Sequence, residues 1–198
     1  MSFSADFLAE TARIAAALDS DAIERMAGRI ADVRARSGRM FFIGSGGGAG
    51  HASHAVNDFR KIAGIECYTP TDNVSELTAR INDDGWETSY VNWLRVSRFA
   101  ANDALFVFSV GGGDLERNVS TNLVRCIEYA KQLGATILGV VGKDGGYTAK
   151  VADVALVVPP INASLITPHT EGFQAVVWHL LVSHPLIQQS SMKWESLR

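Results

Sequence analysis

The stretch Arg39-Met40-Phe41-Phe42-Ile43-Gly44-Ser45-Gly46-Gly47-Gly48-Ala49-Gly50 decides the fold, because it joins a short apolar run to a glycine-rich loop. A continuous apolar run of this length is typical of a strand buried on both faces of a parallel sheet. The glycines let the backbone approach a ligand, and a helix that starts after them presents free N–H groups. The stretch therefore predicts a buried strand, a ligand-binding loop and a helix, in that order.

The same pattern returns further along the chain. An apolar run at 104–108 leads into Ser109-Val110-Gly111-Gly112-Gly113-Asp114, and further runs follow at 135–141 and 154–158, with a weaker strand at 66–68. Apolar residues at helical spacing predict two helices before residue 38 and others at 49–62, 86–100, 114–133 and 170–187. Strands that alternate with helices indicate a three-layer α/β fold with a parallel sheet.

No linker or low-complexity tract interrupts this alternation, so we expect one domain over residues 1–198. Its helices at 1–37 are expected to serve packing or oligomerisation, and its α/β core is expected at 38–190. In such sheets ligands bind beyond the carboxyl ends of the strands, where the strand order reverses. Both glycine loops are expected there. The alternative for either loop is an ordinary turn between a strand and a helix.

The composition is that of a compact globular protein. Of its 198 residues 47% are apolar and 20% charged, and the net charge is −3. This charge gives no reason to expect a nucleic-acid or membrane partner. The two cysteines are too few for a disulfide framework, and the first residues lack the basic segment of a signal peptide. A cytoplasmic location is the expectation.

A nucleotide-binding fold is one competing hypothesis. Gly44-x-Gly46-x-x-Ala49 fits the dinucleotide fingerprint, and Glu66 lies near the position of a ribose-binding acid. The match is weak, because a loop with so many glycines satisfies many patterns. No Gly-Lys-Ser/Thr follows the glycines, so the Walker pattern is absent.

Polar residues follow the first loop. On a helix His51, His54 and Asp58 share one face, where imidazole and carboxylate can bind a divalent metal or transfer protons. The alternative is a solvated polar face. Near the end of the chain, Pro168 and Thr170 predict a helix start, which would put Glu171 in the first turn.

The chain resembles the sugar isomerase (SIS) family, and within it the phosphoheptose isomerases. The resemblance rests on Ile43-Gly44-Ser45-Gly46-Gly47 before His54-x-x-x-Asp58, and on Gly142-Lys143-Asp144-Gly145-Gly146. It implies a flavodoxin-like sheet of five parallel strands and a homotetramer with active sites at subunit interfaces. It also implies conversion of a ketoheptose phosphate to an aldoheptose phosphate for surface polysaccharide, with zinc as the expected metal.

The resemblance also implies roles for individual residues. Asp58 and His179 would transfer protons, and the sugar phosphate would meet a larger set of loop and helix residues. The metal ligands are expected to be His54, Asp58, Glu171 and His179, and the substrate contacts Ser45, Gly46, Gly47, Asn82, Asp83, Ser109, Val110, Gly111, Asp114 and Glu171.

The sequence departs from the family at the phosphate loop, where Val110, Gly111 and Asp114 replace hydroxyl residues and Asp114 is expected at a helix start. A carboxylate near 5 Å from a phosphate would repel it by roughly 3 kcal/mol at an effective dielectric of about 20. Two alternatives therefore stay open: a non-catalytic SIS module that binds a replication initiator or a sugar phosphate, and an isomerase for another sugar. Glu171 and His179 also lie about 12 Å apart along an ideal helix, so spacing alone would not bring them together.

Overall fold

The computed structural model describes residues 2–192, and a parallel sheet of five strands lies at its centre. The strands are Met40–Gly44 (β1), Cys67–Tyr68 (β2), Ala104–Ser109 (β3), Thr136–Val141 (β4) and Val154–Val157 (β5). They lie in the order β2-β1-β3-β4-β5, and every neighbouring pair is parallel. The strand order reverses between β1 and β3, which places both glycine loops at the expected crevice.

Helices cover both faces of this sheet. They are Phe3–Ala17 (α1), Ser20–Ala35 (α2), Gly47–Lys61 (α3), Val74–Asp84 (α4), Trp86–Val96 (α5), Thr121–Leu133 (α6), Gly146–Val151 (α7) and Ile166–Ser183 (α8). A short 3₁₀ turn at Ala163–Leu165 leads into α8. None of these helices has the length and apolar character that crossing a membrane requires.

The two central strands are buried on both faces, as their apolar runs predict. Alternate side chains face opposite layers: Phe42 and Phe106 pack with α2, α3 and α8, whereas Phe41 and Leu105 pack with α5 and α6. This confirms the three-layer α/β fold with a five-stranded parallel sheet. The helices α4 and α7 were not among the predicted elements.

The predicted start of the helix after the second loop is wrong, because α6 begins at Thr121 rather than at Asp114. The intervening residues form a narrow hairpin in which the backbone N–H groups of Asp114 and Val119 donate to each other's carbonyl at 2.9 and 2.8 Å. Asn118 and Ser120 adopt left-handed backbone conformations, which prevent a continuous helix.

The last helix also begins earlier than predicted. It runs from Ile166, so Pro168 lies within its first turn and Glu171 lies beyond it. The helix dipole stabilises acidic side chains only within the first turn of a helix. It therefore does not explain why a glutamate occupies position 171.

Candidate functional site

Three ionisable side chains converge where α3 and α8 pack together. His54, Asp58 and His179 each present one ligand atom, and these atoms all lie within 4.8 Å of one another. The first two lie one turn apart on α3, with 3.8 Å between His54 Nε2 and Asp58 Oδ2. The third comes from α8, which packs beside α3. We call these three residues the His-Asp-His group.

The histidine from α8 has a fixed tautomer. Nδ1 of His179 lies 2.7 Å from the carbonyl oxygen of Ala175, and because a carbonyl only accepts, that nitrogen carries the proton. Nε2 is then left with a lone pair. The ring lies 5.6 Å from the ring of His54, and the buried indole of Trp178 supports the His54 ring at 4.6 Å. His179 can therefore accept a proton or bind a metal ion through Nε2.

The carboxylate of Asp58 is the most enclosed member of the group. Its side chain is 16% exposed, against 58% for His54, and Oδ1 accepts a hydrogen bond from Asn57 at 2.8 Å. Asp58 and His179 both face a cavity of about 470 Å³, which lies between α3, α8 and a C-terminal segment formed by residues 190–192. The cavity is lined by Asp58, Lys61, Ile62, His179, Ser190, Ser191 and Met192. The sequence pattern gave no signal for the three residues of that segment.

The structure does not bring Glu171 into the His-Asp-His group. Its carboxylate packs over Gly47 so closely that a Cβ there would lie 2.5 Å from Cδ. His51 lies on the same side, near the backbone and carboxylate of Glu171. Burial lowers the pKa of His51, and the Glu171 carboxylate opposes that shift. Of the four metal ligands implied by the resemblance, three are assembled and Glu171 faces the loop instead.

The first loop is held from two sides. Gly46 precedes α3 with φ +59°, a conformation that favours glycine. On one side the hydroxyl of Tyr90 donates to the carbonyl oxygen of Gly44 at 3.1 Å. On the other, Nδ2 of Asn122 donates to Oγ of Ser45 at 3.4 Å. The predicted sugar-binding residues Ser45, Gly46 and Gly47 therefore form one turn, held by hydrogen bonds, where α3 begins.

The second loop packs against the Gly142–Gly146 turn. Its Ser109 hydroxyl accepts from the N–H of Gly112 at 3.0 Å, and the carbonyl of Gly112 accepts from the hydroxyl of Thr148 at 2.7 Å. A Cβ on Gly112 would lie 1.9 Å from the carbonyl oxygen of Gly145, so only glycine fits there. Of the predicted phosphate-loop residues, Ser109 ends β3, and Val110 and Gly111 follow it.

The expectation that Asp114 lies at a helix start is not met, because α6 begins at Thr121. Its carboxylate accepts from the backbone N–H of Arg117 at 3.0 Å and so caps its own hairpin. The residue that precedes α6 is Ser120, whose side chain makes no capping hydrogen bond. The hairpin borders a separate cavity of about 420 Å³ whose wall includes Lys143, Tyr147 and Lys150.

The predicted pair Asn82 and Asp83 lies at the C-terminal end of α4. The two residues are exposed at the end of α4, and Nδ2 of Asn82 donates to Oδ1 of Asp83 at 2.8 Å. Among residues 2–192 neither forms a hydrogen bond with a loop or with the His-Asp-His group. The described chain does not bring this pair into the site.

Two residues of the loop region, Ser120 and Asn122, were missed by the sequence analysis. Both belong to the true start of α6, which was misplaced at Asp114. A left-handed backbone at Ser120 is not visible in a periodicity pattern. The burial of Asn122 follows only from the packing of α6 under the first loop.

Comparison with known proteins places this geometry in a family, although no family model matches the chain. The chain is 31% identical to the lincomycin biosynthesis protein LmbN of Streptomyces lincolnensis, over 90% of this chain and 67% of that protein. It is 30% identical to a phosphoheptose isomerase of Trichlorobacter lovleyi, over 84% and 81%, and 29% identical to one of Chlorobaculum tepidum, over 86% and 78%.

Solved structures share the fold. Phosphoheptose isomerase GmhA of Neisseria gonorrhoeae superimposes with a TM-score of 0.78 at 22% identity, over 90% of this chain and 95% of that one. A phosphoheptose isomerase of Francisella tularensis gives a TM-score of 0.79 at 20% identity, over 94% and 98%. Together with the sequence relatives, these similarities show that the chain belongs to the SIS family and groups with its phosphoheptose isomerases.

Proposed function

We propose that this protein is an aldose–ketose isomerase acting on a sugar phosphate. The observation that carries the proposal is the convergence of His54, Asp58 and His179 where α8 packs against α3, the helix that begins at the first glycine loop. The names of the relatives support the reaction class, and they suggest sedoheptulose 7-phosphate as the ketose and D-glycero-manno-heptose 7-phosphate as the aldose.

The proposed reaction moves one proton between neighbouring carbons through a cis-enediol. A base takes the proton from C1 of the ketose, an acid protonates the carbonyl oxygen, and the enediol collapses to the aldose when C2 is protonated. Asp58 is enclosed and ionisable, so we assign it the carbon proton. His179 presents Nε2 to the same space, and we assign it the proton that moves between the two oxygens.

The same residues fit a divalent metal ion. Two imidazoles and one carboxylate are ligands that zinc accepts, and their atoms are already close together. We propose that His54, Asp58 and His179 hold it, with Glu171 joining only if its side chain leaves Gly47. A bound ion of this kind would polarise the sugar oxygens. Asp58 would be a weaker base while it binds metal, so its two proposed roles compete.

The phosphate end of the substrate is assigned to the second loop and the start of α6. The backbone of Ser109, Val110 and Gly111 lies beyond β3, and the uncapped N-terminus of α6 offers N–H groups of the kind that phosphates bind. Ser120 supplies a hydroxyl there. Because the Asp114 carboxylate accepts from the backbone N–H of Arg117, it caps its own hairpin rather than α6.

A homotetramer is part of the proposal. The helix α4 buries none of its residues within one chain, and apolar side chains of α1 and α8, among them Phe3, Leu8 and Val176, are exposed. Packing against other subunits would cover these surfaces. It would also give Asn82 and Asp83 a neighbouring site to face. Light scattering of the purified protein tests the assembly.

The deciding experiment measures turnover of sedoheptulose 7-phosphate by NMR in metal-analysed protein. The substitutions Asp58→Asn and His179→Gln are each expected to lower kcat at least 100-fold, as removal of a general acid or base does. Asp32→Asn, on the exposed side of α2, is the matched control and should retain full activity. Full activity of either site variant would overturn the assignment. Bound metal without turnover of this sugar would favour another sugar or a non-catalytic binding role.

A further inference from the structure

Asn122 is a fully buried polar residue that touches the first loop. It lies in the first turn of α6 with none of its surface exposed, and its Nδ2 donates to Oγ of Ser45 at 3.4 Å. Helix α6 follows the second loop and its hairpin, whereas Ser45 belongs to the first loop. This single contact therefore links the two loops that border the sugar site.

The direction of this hydrogen bond determines what Ser45 can do. An amide nitrogen only donates, so the serine oxygen accepts from Asn122 and keeps its own hydrogen for another acceptor. Ser45 is partly exposed at the mouth of the loop, where a sugar oxygen is the proposed acceptor. If the residue at 122 offered only acceptors, the serine hydrogen would turn toward it and away from the sugar.

The other amide atom supports a functional reason for this residue. Oδ1 of Asn122 is buried, and among residues 2–192 it has no hydrogen-bond partner. Buried polar atoms without partners are uncommon in folded proteins because they lose their hydration without compensation. An apolar side chain would pack in the same place without that cost, so core packing alone does not explain an asparagine here.

We propose that Asn122 is a positioning residue, which holds the Ser45 hydroxyl as a hydrogen-bond donor to an oxygen of the sugar. The inference rests on the proposed isomerase function and adds a specificity determinant to it. Asn122 acts through Ser45 and does not itself touch the substrate. Its loss should weaken sugar binding more than it slows the chemical step.

A double-mutant cycle on Asn122→Asp and Ser45→Ala tests the proposal. A carboxylate cannot donate to Ser45, so Asn122→Asp is expected to raise KM for sedoheptulose 7-phosphate about fivefold, the effect of one hydrogen bond, with a smaller change in kcat. Ser45→Ala should do the same, and the double variant should be no worse than either. Asn122→Ala replaces Asn122→Asp if the buried carboxylate prevents folding. Asn102→Asp, in an exposed turn, is the matched control.

Multiplicative effects on KM would overturn the proposal, and so would a collapse of kcat with unchanged KM. The Tm values of the same ligand-free proteins give a second readout that does not need a substrate. Additive Tm changes would show that Asn122 does not hold Ser45, and would overturn the proposal whatever the activity. A different outcome is that the Tm changes of the variants are non-additive while the wild-type protein shows no turnover. This outcome would overturn the isomerase function, and with it the assignment of a sugar acceptor to Ser45.

Discussion

Oε2 of Glu10 on α1 lies 2.9 Å from Nε2 of His169 on α8, although the two residues are 159 positions apart in the sequence. Their contact ties the first helix to the helix that carries Glu171 and His179. The ring of His169 is 4% exposed and stacks on Phe7 at 4.5 Å, while Asn162 donates to the other Glu10 oxygen at 2.9 Å. The first helix is thus held against the N-terminal part of α8 by a half-buried polar contact as well as by apolar packing.

This contact predicts an acid-sensitive part of the stability. The hydrogen bond from His169 lowers the pKa of Glu10 below its ordinary value of 4.5. A carboxyl group with a lowered pKa stabilises the fold fully above its unfolded pKa, and this contribution is lost as the pH falls through the folded one. Glu10→Gln should therefore reduce Tm at pH 7, and its Tm should converge with that of the wild type only as the pH falls through the lowered pKa of Glu10. Glu116→Gln, in the exposed hairpin, should match the wild type throughout. A constant Tm difference across this range would contradict the prediction.

The close approach of Glu171 to Gly47 predicts that alanine at 47 affects activity more than stability. A Cβ would lie 2.5 Å from the Glu171 carboxyl carbon, and a flexible side chain can move away at small cost. We expect Gly47→Ala to change the free energy of unfolding by less than about 1 kcal/mol while raising KM several-fold, since Glu171 leaves its place. Urea denaturation and steady-state kinetics measure the two effects.

Gly50→Ala is the matched control for this substitution. It lies in the same helix, α3, and a Cβ there would meet nothing within 4 Å. We expect it to stabilise the protein by about 0.5–1 kcal/mol with unchanged KM, because alanine favours a helix more than glycine does. If both variants lost the same activity, the contact with Glu171 would not be the cause.

The sequence was sufficient to predict the sheet, because its signal is local. The apolar runs of β1 and β3 and the glycines after them identify buried strands and ligand-binding turns without any tertiary information. It also predicted that His54 and Asp58 share a helix face. The resemblance, rather than any spacing, brought in His179, whose approach depends on the packing of α8 against α3.

The errors arose where backbone conformation or tertiary packing overrides local pattern. The residues from Asp114 to Val119 look helical in composition, but left-handed conformations at Asn118 and Ser120 turn the chain into a hairpin. Glu171 was placed with the metal ligands, yet the structure packs its carboxylate over Gly47. Residue periodicity predicts neither the left-handed conformations nor the packing of Glu171 over Gly47, because it reports only the spacing of residues along the chain.

The hairpin predicts that Asp114 has little influence on substrate binding. Its carboxylate accepts from the backbone N–H of Arg117, and the hydrogen bonds described for it include none to the N–H groups at the start of α6. We expect Asp114→Asn, which keeps that acceptor, to leave KM for sedoheptulose 7-phosphate within about twofold. Ser120→Ala should raise KM roughly fivefold through the loss of one hydroxyl donor. Steady-state kinetics measures both KM values. A larger change of KM in Asp114→Asn than in Ser120→Ala would show that the phosphate binds beside Asp114 rather than at the start of α6.

Zinc binding should stabilise the protein through the His-Asp-His group. A ligand at 100 times its Kd raises the free energy of unfolding by about 2.7 kcal/mol if it binds only the folded state. We expect a rise of this size when zinc is added to chelator-treated protein, and its loss in His54→Ala. His51→Ala is the matched control, because His51 lies one turn earlier on α3 and outside the group.

Thiol ligation in the folded protein is not expected to account for a zinc effect. Cys67 and Cys126 are buried and free, and burial raises the pKa of both thiols, which disfavours the thiolate that binds zinc. Chemical denaturation with and without zinc gives the energy, and metal analysis gives the stoichiometry. Equal loss of the zinc effect in His51→Ala and His54→Ala would show that the ion binds nearer the Gly47–Glu171 contact. Retention of the effect in His54→Ala would exclude the His-Asp-His group as the zinc site.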